Sequence, residues 1–406
     1  MGNTFLTKDI KSVLRGYNMN IDKKMIKSNI PKIRFNNFEA FWVENRIADI
    51  VKISAGGDVD KVRLKESGKY PVIANALTNK GIVGFYDDYK VKAPAVTVTG
   101  RGDVGYAVAR HENFTPIVRL LTLQSEDIDV DYLENQINSM RILNESTGVP
   151  QLTAPQLGNY KVYHPEIEEQ SAIGSLFRTL DDLLSSYKDN LANYQSLKAT
   201  MLAKMFPKAG QTIPEIRLDG FEGEWRKLKL RDVVHTNPKS ELPENFKYID
   251  LESVVGTRIE KIREERKESA PSRAQRLAKK GDVFYQTVRP YQKNNYLFKL
   301  DEIDYVFSTG YAQLRPICKR CDSDFLLILL QNNRFLNKVL DRCTGTSYPA
   351  INANELIEIL IAIPSYEEQQ AIGSYFSNLD NLISSNKEKI SQLETLKKKL
   401  LQDMFI

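Results

Sequence analysis

The sequence predicts an α+β fold in which two mixed α/β blocks are separated by two long antiparallel coiled-coil helices, related by a pseudo-two-fold repeat. Three observations lead to this prediction. A segment that begins P-x-x-E-E-Q-x-A-I-G-S occurs twice without a gap, at residues 165–206 and 364–405. Each copy follows a longer block whose opening is shared and whose interior differs. Both copies carry a heptad stripe of apolar residues, which is typical of paired helices.

Residues 1–30 lie outside the repeat, and we predict that they form a basic N-terminal extension. They carry six basic and two acidic side chains and therefore supply most of the chain's net charge of +5. The pattern leaves a disordered arm and a short helix both open. A positive charge is compatible with binding to nucleic acid but does not by itself identify a protein that binds it.

The first block (residues 31–164) and the second block (residues 214–363) have matching borders. Both open on P-x-I-R, then F-E and a tryptophan, and Trp42 and Trp225 are the only tryptophans in the chain. Their interiors differ in sequence and in length. Shared frames around different interiors indicate two modules that perform the same task on different targets. Plain duplication followed by drift is the alternative.

Strand-like runs, broken by glycine-containing turns, recur through both block interiors. The first block contains APAVTVTG and GYAVAR, and the second contains FKYIDLESV, GDVFYQTV and YVFSTGYAQLRP. A helical stretch is predicted over DSDFLLILLQNNRFLNKVL, residues 322–340. Each block is therefore expected to be a compact α+β domain.

The repeated segments, residues 165–206 and 364–406, are predicted to be long spacer helices, with residues 207–213 linking the first to the second block. An apolar stripe must be buried, and the other copy is the nearest partner if the helices run antiparallel. The alternative is that each helix packs on the block that precedes it. Lysines interrupt the stripe at Lys198 and Lys397. The predicted seam residues, which face the other helix or a partner protein, are Ile173, Phe177, Leu180, Leu184, Leu191, Ile372, Phe376, Leu379, Ile383 and Ile390.

Three polar loops in the blocks contain residue types that bind nucleic acid. Arginine and lysine pair with guanine, and asparagine pairs with adenine. The loops are TNKGIVGFYDDY (78–89), GRGDVGY (100–106) and VRPYQKNNY (288–296). The predicted DNA contacts in them are Asn79, Lys80, Arg101, Arg289, Tyr291, Lys293 and Asn294. Such loops are common on protein surfaces, so a solvated or structural role for any one of these side chains stays open.

Three short motifs resemble parts of a dinucleotide, zinc or nuclease site, and none of them is complete enough to predict such a site. GRGDVG at 100–105 matches G-x-G-x-x-G, but a strand is predicted after it where a dinucleotide site needs a helix, so a hairpin is favoured. Cys318 and Cys321 form a C-x-x-C pair, but a structural zinc needs four ligands and the histidines lie far away in the sequence. The E-x-K triplet at 265–267 lies in a mixed-charge run. We predict a chain that is not an enzyme and holds neither a metal nor a cofactor of its own.

The distribution of cysteine and apolar residues predicts a cytoplasmic location. Three cysteines cannot make a disulfide framework. No apolar run of about 18 residues indicates a membrane span, and the N-terminus lacks the apolar core of a signal peptide.

The frame over residues 31–406 resembles the specificity (S) subunit of type I restriction–modification enzymes. The motifs that carry the resemblance are the P-x-I-R-F/L openings, the block endings STGVPQLTAPQL and GTSYPAINANEL, and the starts of both long helices. Within the second block, YIDLESV, KKGDVFYQTVRP and STGYAQLRP also resemble segments of that family.

The resemblance implies that each block is a target-recognition domain that reads one half of a bipartite DNA site. The two helices would set the gap between the halves and dock two modification subunits, which use S-adenosylmethionine to methylate adenine at N6. Restriction/translocase subunits would bring the use of ATP and Mg²⁺. Two other classes of protein stay open, namely a solitary two-headed DNA-binding repressor or architectural protein, and a nuclease whose site is not recognised.

Overall fold

The computed structural model describes most of the chain. The described residues are 19–21, 29–140, 142, 151–345 and 348–406. Most of the predicted N-terminal extension, and residues 146–150 and 346–347 of the two block endings, lie outside them. The chain divides into two compact units, which are described separately. Unit 1 comprises Met1–Asp189 with Asn386–Ile406, and unit 2 comprises Asn190–Ser385.

Unit 1 contains the first block and parts of both long helices. Its strands are β1 (Met19–Ile21), β2 (Ile33–Phe35), β3 (Val43–Arg46), β4 (Lys52–Ala55), β5 (Tyr70–Ile73), β6 (Ile82–Tyr86), β7 (Ala95–Val98), β8 (Ala107–Arg110), β9 (Thr115–Pro116), β10 (Leu121–Gln124) and β11 (Lys161–His164). Its helices are α1 (Ile47–Ile50), α2 (Val130–Ser139), α3 (Ala154–Gly158) and the first part of α4 (Ile167–Lys204).

Unit 2 contains the second block. Its strands are β12 (Arg226–Lys229), β13 (Val234–Thr236), β14 (Asn245–Ile249), β15 (Val254–Val255), β16 (Arg258–Ile259), β17 (Arg263–Arg266), β18 (Ala274–Leu277), β19 (Val283–Gln286), β20 (Tyr296–Leu297), β21 (Tyr305–Ser308), β22 (Tyr311–Pro316) and β23 (Leu360–Ile363). Its helices are α5 (Ser323–Gln331), α6 (Asn333–Leu340), α7 (Ala353–Ile357) and the first part of α8 (Tyr366–Asp403), together with the end of α4.

The two units share the strand order of one sheet, whereas their second sheets have three and four strands. A four-stranded antiparallel sheet has the order β4-β10-β7-β8 in unit 1 and β13-β22-β19-β20 in unit 2. A second sheet contains a parallel pair in each unit, β5 with β9 and β14 with β21. In each block the strand near its start pairs with the strand at its end, β3 with β11 and β12 with β23. The predicted repeated α+β fold is therefore confirmed.

The helical stretch predicted over residues 322–340 is confirmed, but it is broken into α5 and α6 at Asn332. The backbone of Asn332 is extended there, and its side-chain oxygen accepts from the amide of Arg334 at 2.8 Å, which caps the start of α6. Its side-chain amide donates to the carbonyl of Leu202 at 2.7 Å. Asparagine is favoured at such a cap because its oxygen satisfies an amide that the helix leaves unpaired.

The E-E-Q-x-A-I-G-S motif holds α4 against the rest of unit 1. The Glu169 carboxylate accepts two hydrogen bonds from the Arg34 guanidinium, both at 2.7 Å. The Gln170 side-chain oxygen accepts from the amide of Asp129 at 3.0 Å, beside the start of α2. A Cβ on Gly174 would come within 2.9 Å of the Tyr132 amide nitrogen, so only glycine permits this close approach of the two helices.

The same contacts recur in unit 2 between α8 and the start of α5. Glu368 accepts from Arg217 at 2.8 and 2.6 Å. Gln369 accepts from the amide of Asp322 at 2.9 Å. A Cβ on Gly373 would meet the start of α5 at 2.8 Å. The motif residues are thus explained by contacts with the block that precedes each helix.

The end of each long helix completes the core of the unit that holds the other repeat's block. In unit 1, Phe405 from the segment after α8 lies 5.7 Å from the ring of Phe177 and 5.6 Å from that of Tyr132. In unit 2, Phe206 after α4 lies 5.7 Å from the ring of Trp225. Both alternatives predicted from the sequence therefore occur. The first half of each helix packs on the block that precedes it, and its end packs in the core of the unit that contains the other block.

Glu134 of α2 makes the stability of unit 1 depend on pH. Burial raises the pKa of its carboxyl to about 7, and the charges of Asp181 and Asp131 add to the rise, against a hydrogen bond from the Ala109 backbone and the charge of Lys397. Because this pKa is higher in the folded state, the stability it contributes is present below about pH 4.5 and lost as pH rises through 7. Glu134→Gln should therefore stabilise unit 1 by about 3 kcal/mol at pH 8 and by about 1 kcal/mol or less near pH 5. Thermal unfolding at both pH values tests this, and an equal effect at both would contradict it.

Candidate nucleic-acid interface

Asn79 and Lys80 lie on an exposed turn of unit 1 that precedes β6. Both residues adopt left-handed backbone conformations, with φ of 48° and 49°, which cost about 1 kcal/mol each outside glycine. The buried guanidinium of Arg110 holds the turn in place, since it donates to the carbonyl of Lys80 at 2.7 Å and to the Thr97 hydroxyl at 2.9 Å. Burial lowers the pKa of Arg110 to about 10, so this group is still charged at neutral pH.

Arg101 lies in the connection between β7 and β8. These strands pair antiparallel, from Ala95 opposite Arg110 to Val98 opposite Ala107, so the G-x-G-x-x-G run is a hairpin and not the strand–helix turn of a dinucleotide site. The Arg101 side chain is exposed, and no carboxylate in the described part of the chain pairs with it. It is therefore available to an anionic ligand.

Arg289 and Tyr291 lie on the corresponding loop of unit 2. Arg289 has a left-handed φ of 53° and precedes the turn Pro290–Gln292. Its guanidinium lies 4.4 Å from the centroid of the Tyr348 ring, in a cation–π contact. The Tyr291 side chain is 50% exposed. Tyr291 is thus exposed on this loop, whereas Arg289 is half-buried beside Tyr348.

Lys293 and Asn294 are held within unit 2. The Lys293 ammonium donates to the carbonyl of Gln331 at 2.8 Å and to the Asn333 side-chain oxygen at 2.5 Å. The Asn294 side-chain oxygen accepts from the amide of Gly256 at 2.9 Å. A base contact that keeps these bonds could use only the third N–H of Lys293 and the side-chain NH₂ of Asn294. Their role in DNA binding stays a prediction, whereas their role in holding the loop is visible in the structure.

Sequence reasoning missed two buried polar residues that hold these loops. They are Arg110 in unit 1 and Gln286 in unit 2, where the Gln286 amide donates to Gln292 at 2.7 Å and its oxygen accepts from the Asn294 amide at 3.3 Å. The available signal was a long polar side chain at the end of an otherwise apolar strand, as in GYAVAR and GDVFYQ. A buried polar group needs a partner, and here the partner is the loop.

The predicted seam residues are buried or half-buried, and those of unit 1 pack with the end of α8. The fully buried ones are Ile173, Phe177, Leu180, Leu184, Ile372, Phe376 and Leu379. The half-buried ones are Leu191, Ile383 and Ile390.

The lysines that interrupt the stripe form ion pairs with the facing helix. In unit 1 the Lys397 ammonium lies 2.6 Å from an Asp181 carboxylate oxygen, and in unit 2 Lys198 lies 2.5 Å from Asp380. The repeat relates the two pairs, since each residue has its counterpart 199 positions away (181 to 380, 198 to 397). In both pairs an early residue of one helix contacts a late residue of the other, so the predicted antiparallel arrangement is confirmed.

The described residues contain neither a cluster of metal ligands nor a membrane-spanning helix. No group of three His, Cys, Asp or Glu side chains among the described residues could hold a metal ion. No helix in the described part of the chain is long and apolar enough to cross a membrane. Cys318 is exposed and Cys321 is buried, and burial raises the pKa of the Cys321 thiol to about 12.

Comparison with known proteins gives matches in both halves of the chain. The profile of the type I restriction modification DNA specificity domain matches residues 40–193 and 222–395. The chain is 25% identical over 273 residues to the type I restriction enzyme MjaVIII specificity subunit of Methanocaldococcus jannaschii, which covers 63% of this chain and 64% of that protein. It is also 25% identical over 191 residues to the HindI specificity subunit of Haemophilus influenzae, covering 45% of this chain and 41% of that protein. The matches thus span less than two thirds of either relative.

The fold is also similar to a solved structure. The S subunit of the type I restriction–modification system from M. genitalium superposes with a TM-score of 0.66 at 17% identity. The superposition covers 93% of this chain and 99% of that one. At this identity the similarity concerns the fold alone.

Proposed function

This chain belongs to the type I restriction–modification DNA specificity family, and on that premise we propose that it reads a bipartite DNA site, one half with each block. One observation carries the proposal. The two units share the strand order of their four-stranded antiparallel sheet and a parallel strand pair in a second sheet, while the loops on these sheets differ in sequence. Base contacts in the grooves of DNA specify its sequence. Two similar domains with different loops therefore suit a DNA site whose two halves differ in sequence.

In this proposal, the two long helices set the gap between the half-sites. They also dock two N6-adenine methyltransferase (modification) subunits, and restriction/translocase subunits then join the complex. Methylation and cleavage then belong to those partners, together with S-adenosylmethionine, ATP and Mg²⁺, and this chain is a non-catalytic, cytoplasmic subunit. Ion pairs across the helix seam, such as Asp181–Lys397, support the role of the helices as a spacer. They specify which residues of the two helices lie opposite one another, which apolar contacts alone do not. Family membership gives no support to a solitary repressor or to a nuclease.

A block exchange tests the proposal. Replacing residues 31–164 by the matching block of a relative, in cells that contain the modification subunits, should change one half of the methylated motif and leave the other half as it was. The physical reason is that the pairing of β3 with β11 closes the first block on itself, so its loops move as one module. Sequencing of methylated adenines across the genome reads out both halves.

The reciprocal exchange of residues 214–363 is the matched control and should change only the other half. Purified chain without modification subunits should transfer no methyl group and cut no DNA. An exchange that alters both halves would contradict independent reading, and turnover that stays with the purified chain would contradict a non-catalytic subunit.

A further inference from the structure

Three segments of unit 1 meet beyond the end of β7, and the side chain of Asn75 ties them together. Its oxygen accepts from the amide of Gly100 at 2.7 Å, and its nitrogen donates to the carbonyl of Val118 at 2.6 Å. Asn75 itself belongs to the segment that leads from β5 to the turn with Lys80. The hairpin after β7, the turn before β10 and the segment after β5 are thus held by one amide group.

The turn before β10 is strained and packs directly on the hairpin. Val118 and Arg119 have left-handed φ values of 52° and 59°, which are unfavourable for side chains and most of all for a β-branched valine. The amides of both residues are fixed by the carbonyls of Gly57 and Gly56, at 2.7 and 3.0 Å. A Cβ on Gly100 would come within 2.9 Å of the Arg119 carbonyl oxygen. Such strain persists only where the surroundings enforce it, and it concentrates at binding sites.

Each of the three segments presents one exposed cation, and we call Lys80, Arg101 and Arg119 the basic cluster. None of the three has a carboxylate partner in the described part of the chain. Other exposed lysines of unit 1, such as Lys52, Lys61 and Lys90, also form no ion pair within the described residues, so the cluster is distinguished by the meeting of its three segments. Three positive charges on converging segments exceed the negative charge of Asp103 on the same hairpin, and the net positive field attracts a polyanion.

Unit 2 has two arginines near the corresponding junction. There the amide of Thr287 donates to the carbonyl of Gly310 at 3.0 Å, and the neighbouring Thr309 amide donates to the carbonyl of Arg273 at 2.8 Å. Arg273 and Arg289 therefore lie where the hairpin meets the turn before β22. Their positions differ from those of the basic cluster, because Val288 occupies the place of Arg101 and the turn before β22 itself holds Thr309 and Gly310.

We propose that the basic cluster is a single binding surface for the phosphate backbone of duplex DNA, with Arg119 as a direct phosphate contact and Asn75 as the residue that positions the cluster. The inference rests on the proposed function of unit 1 and adds to it a residue outside the three loops that the sequence singled out. Phosphate contacts fix the orientation of a protein on the duplex and carry most of the salt dependence of binding.

The test is the affinity of the full-length chain for a mixed-sequence DNA duplex, measured from about 50 to 200 mM salt. Loss of one phosphate contact lowers the slope of log K against log salt by about 0.9 and weakens binding on the order of tenfold at the low-salt end. Arg119→Gln should show both effects. Lys52→Gln is the matched control, because Lys52 is exposed and lies opposite Gln124, at the other end of β10 from Leu121 and the cluster. It should leave the slope unchanged.

Asn75→Ala tests positioning through Arg119. It should lower the slope at least as much as Arg119→Gln does, because it also releases the hairpin that carries Arg101. Adding Arg119→Gln to Asn75→Ala should then lower the slope little further. If Asn75→Ala only destabilises the fold, less of the protein will bind DNA, but the molecules that bind will keep the wild-type slope of log K against log salt. That result would overturn the positioning role.

The outcomes separate this inference from the proposed function. If the wild-type chain fails to bind duplex DNA at low salt, the proposed function itself is contradicted. If wild type binds and Arg119→Gln keeps the full slope, only the present inference is overturned. It is equally overturned if Arg119→Gln spares DNA binding but weakens assembly with modification subunits, since the basic cluster would then contact protein.

Discussion

Phe405→Ala should lower the free energy of unfolding of unit 1 by about 3–5 kcal/mol. The residue lies just after α8, yet its side chain is only 8% exposed because it packs on the rings of Phe177 and Tyr132 in the first block's core. Truncation leaves a cavity among aromatic side chains that cannot collapse fully. Hydrogen exchange resolved by peptide should show lost protection in residues 29–189, far from the substitution in sequence.

Phe206→Ala is the matched control, since Phe206 is the counterpart of Phe405 in the repeat and packs on Trp225 and Phe325 in unit 2. It should lower protection in residues 190–385 and spare unit 1. Loss of protection in the same unit for both variants would show that the helix ends do not complete the cores as described. In a methylation assay, Phe405→Ala should weaken recognition of the half-site that the first block reads.

Arg34→Ala should destabilise unit 1 by about 3–5 kcal/mol, because it leaves the charge of Glu169 without its partner. The Glu169 side chain is only 2% exposed, so water cannot replace the two hydrogen bonds from Arg34. The buried Trp42 indole nitrogen makes no hydrogen bond, so the Glu169 carboxylate has no second side-chain donor in place when Arg34 is removed.

Arg217→Ala is the matched change in unit 2 and should cost less. Glu368 also accepts a hydrogen bond from the Trp225 indole nitrogen at 3.3 Å, which stays after the arginine is removed. Chemical denaturation with hydrogen exchange assigns each loss to its unit. Adding Glu169→Gln to Arg34→Ala should restore part of the stability, because the buried charge disappears. Equal losses for the two arginine variants, or no recovery in the double variant, would contradict this account.

Local pattern determined the elements and the repeat. Heptad spacing is a property of one helix, so the seam from Ile173 to Leu184 could be predicted without knowing what covers it. Alternation in GYAVAR and YAQLRP predicts β8 and β22 for the same reason. The repeated motifs and their resemblance to the DNA specificity family could also be recognised from the sequence, because each motif is a run of neighbouring residues.

Only the tertiary structure decided which groups meet across the chain. Periodicity specifies the buried face of α8 but not that Phe405 completes a core in unit 1, because that contact joins residues more than two hundred positions apart. The split at Asn332, the internal bonds of Lys293 and the bridging role of Asn75 escaped prediction for a related reason. A polar side chain can bond to solvent, ligand or backbone, and the choice depends on which backbone group the folded chain brings within about 3 Å of it.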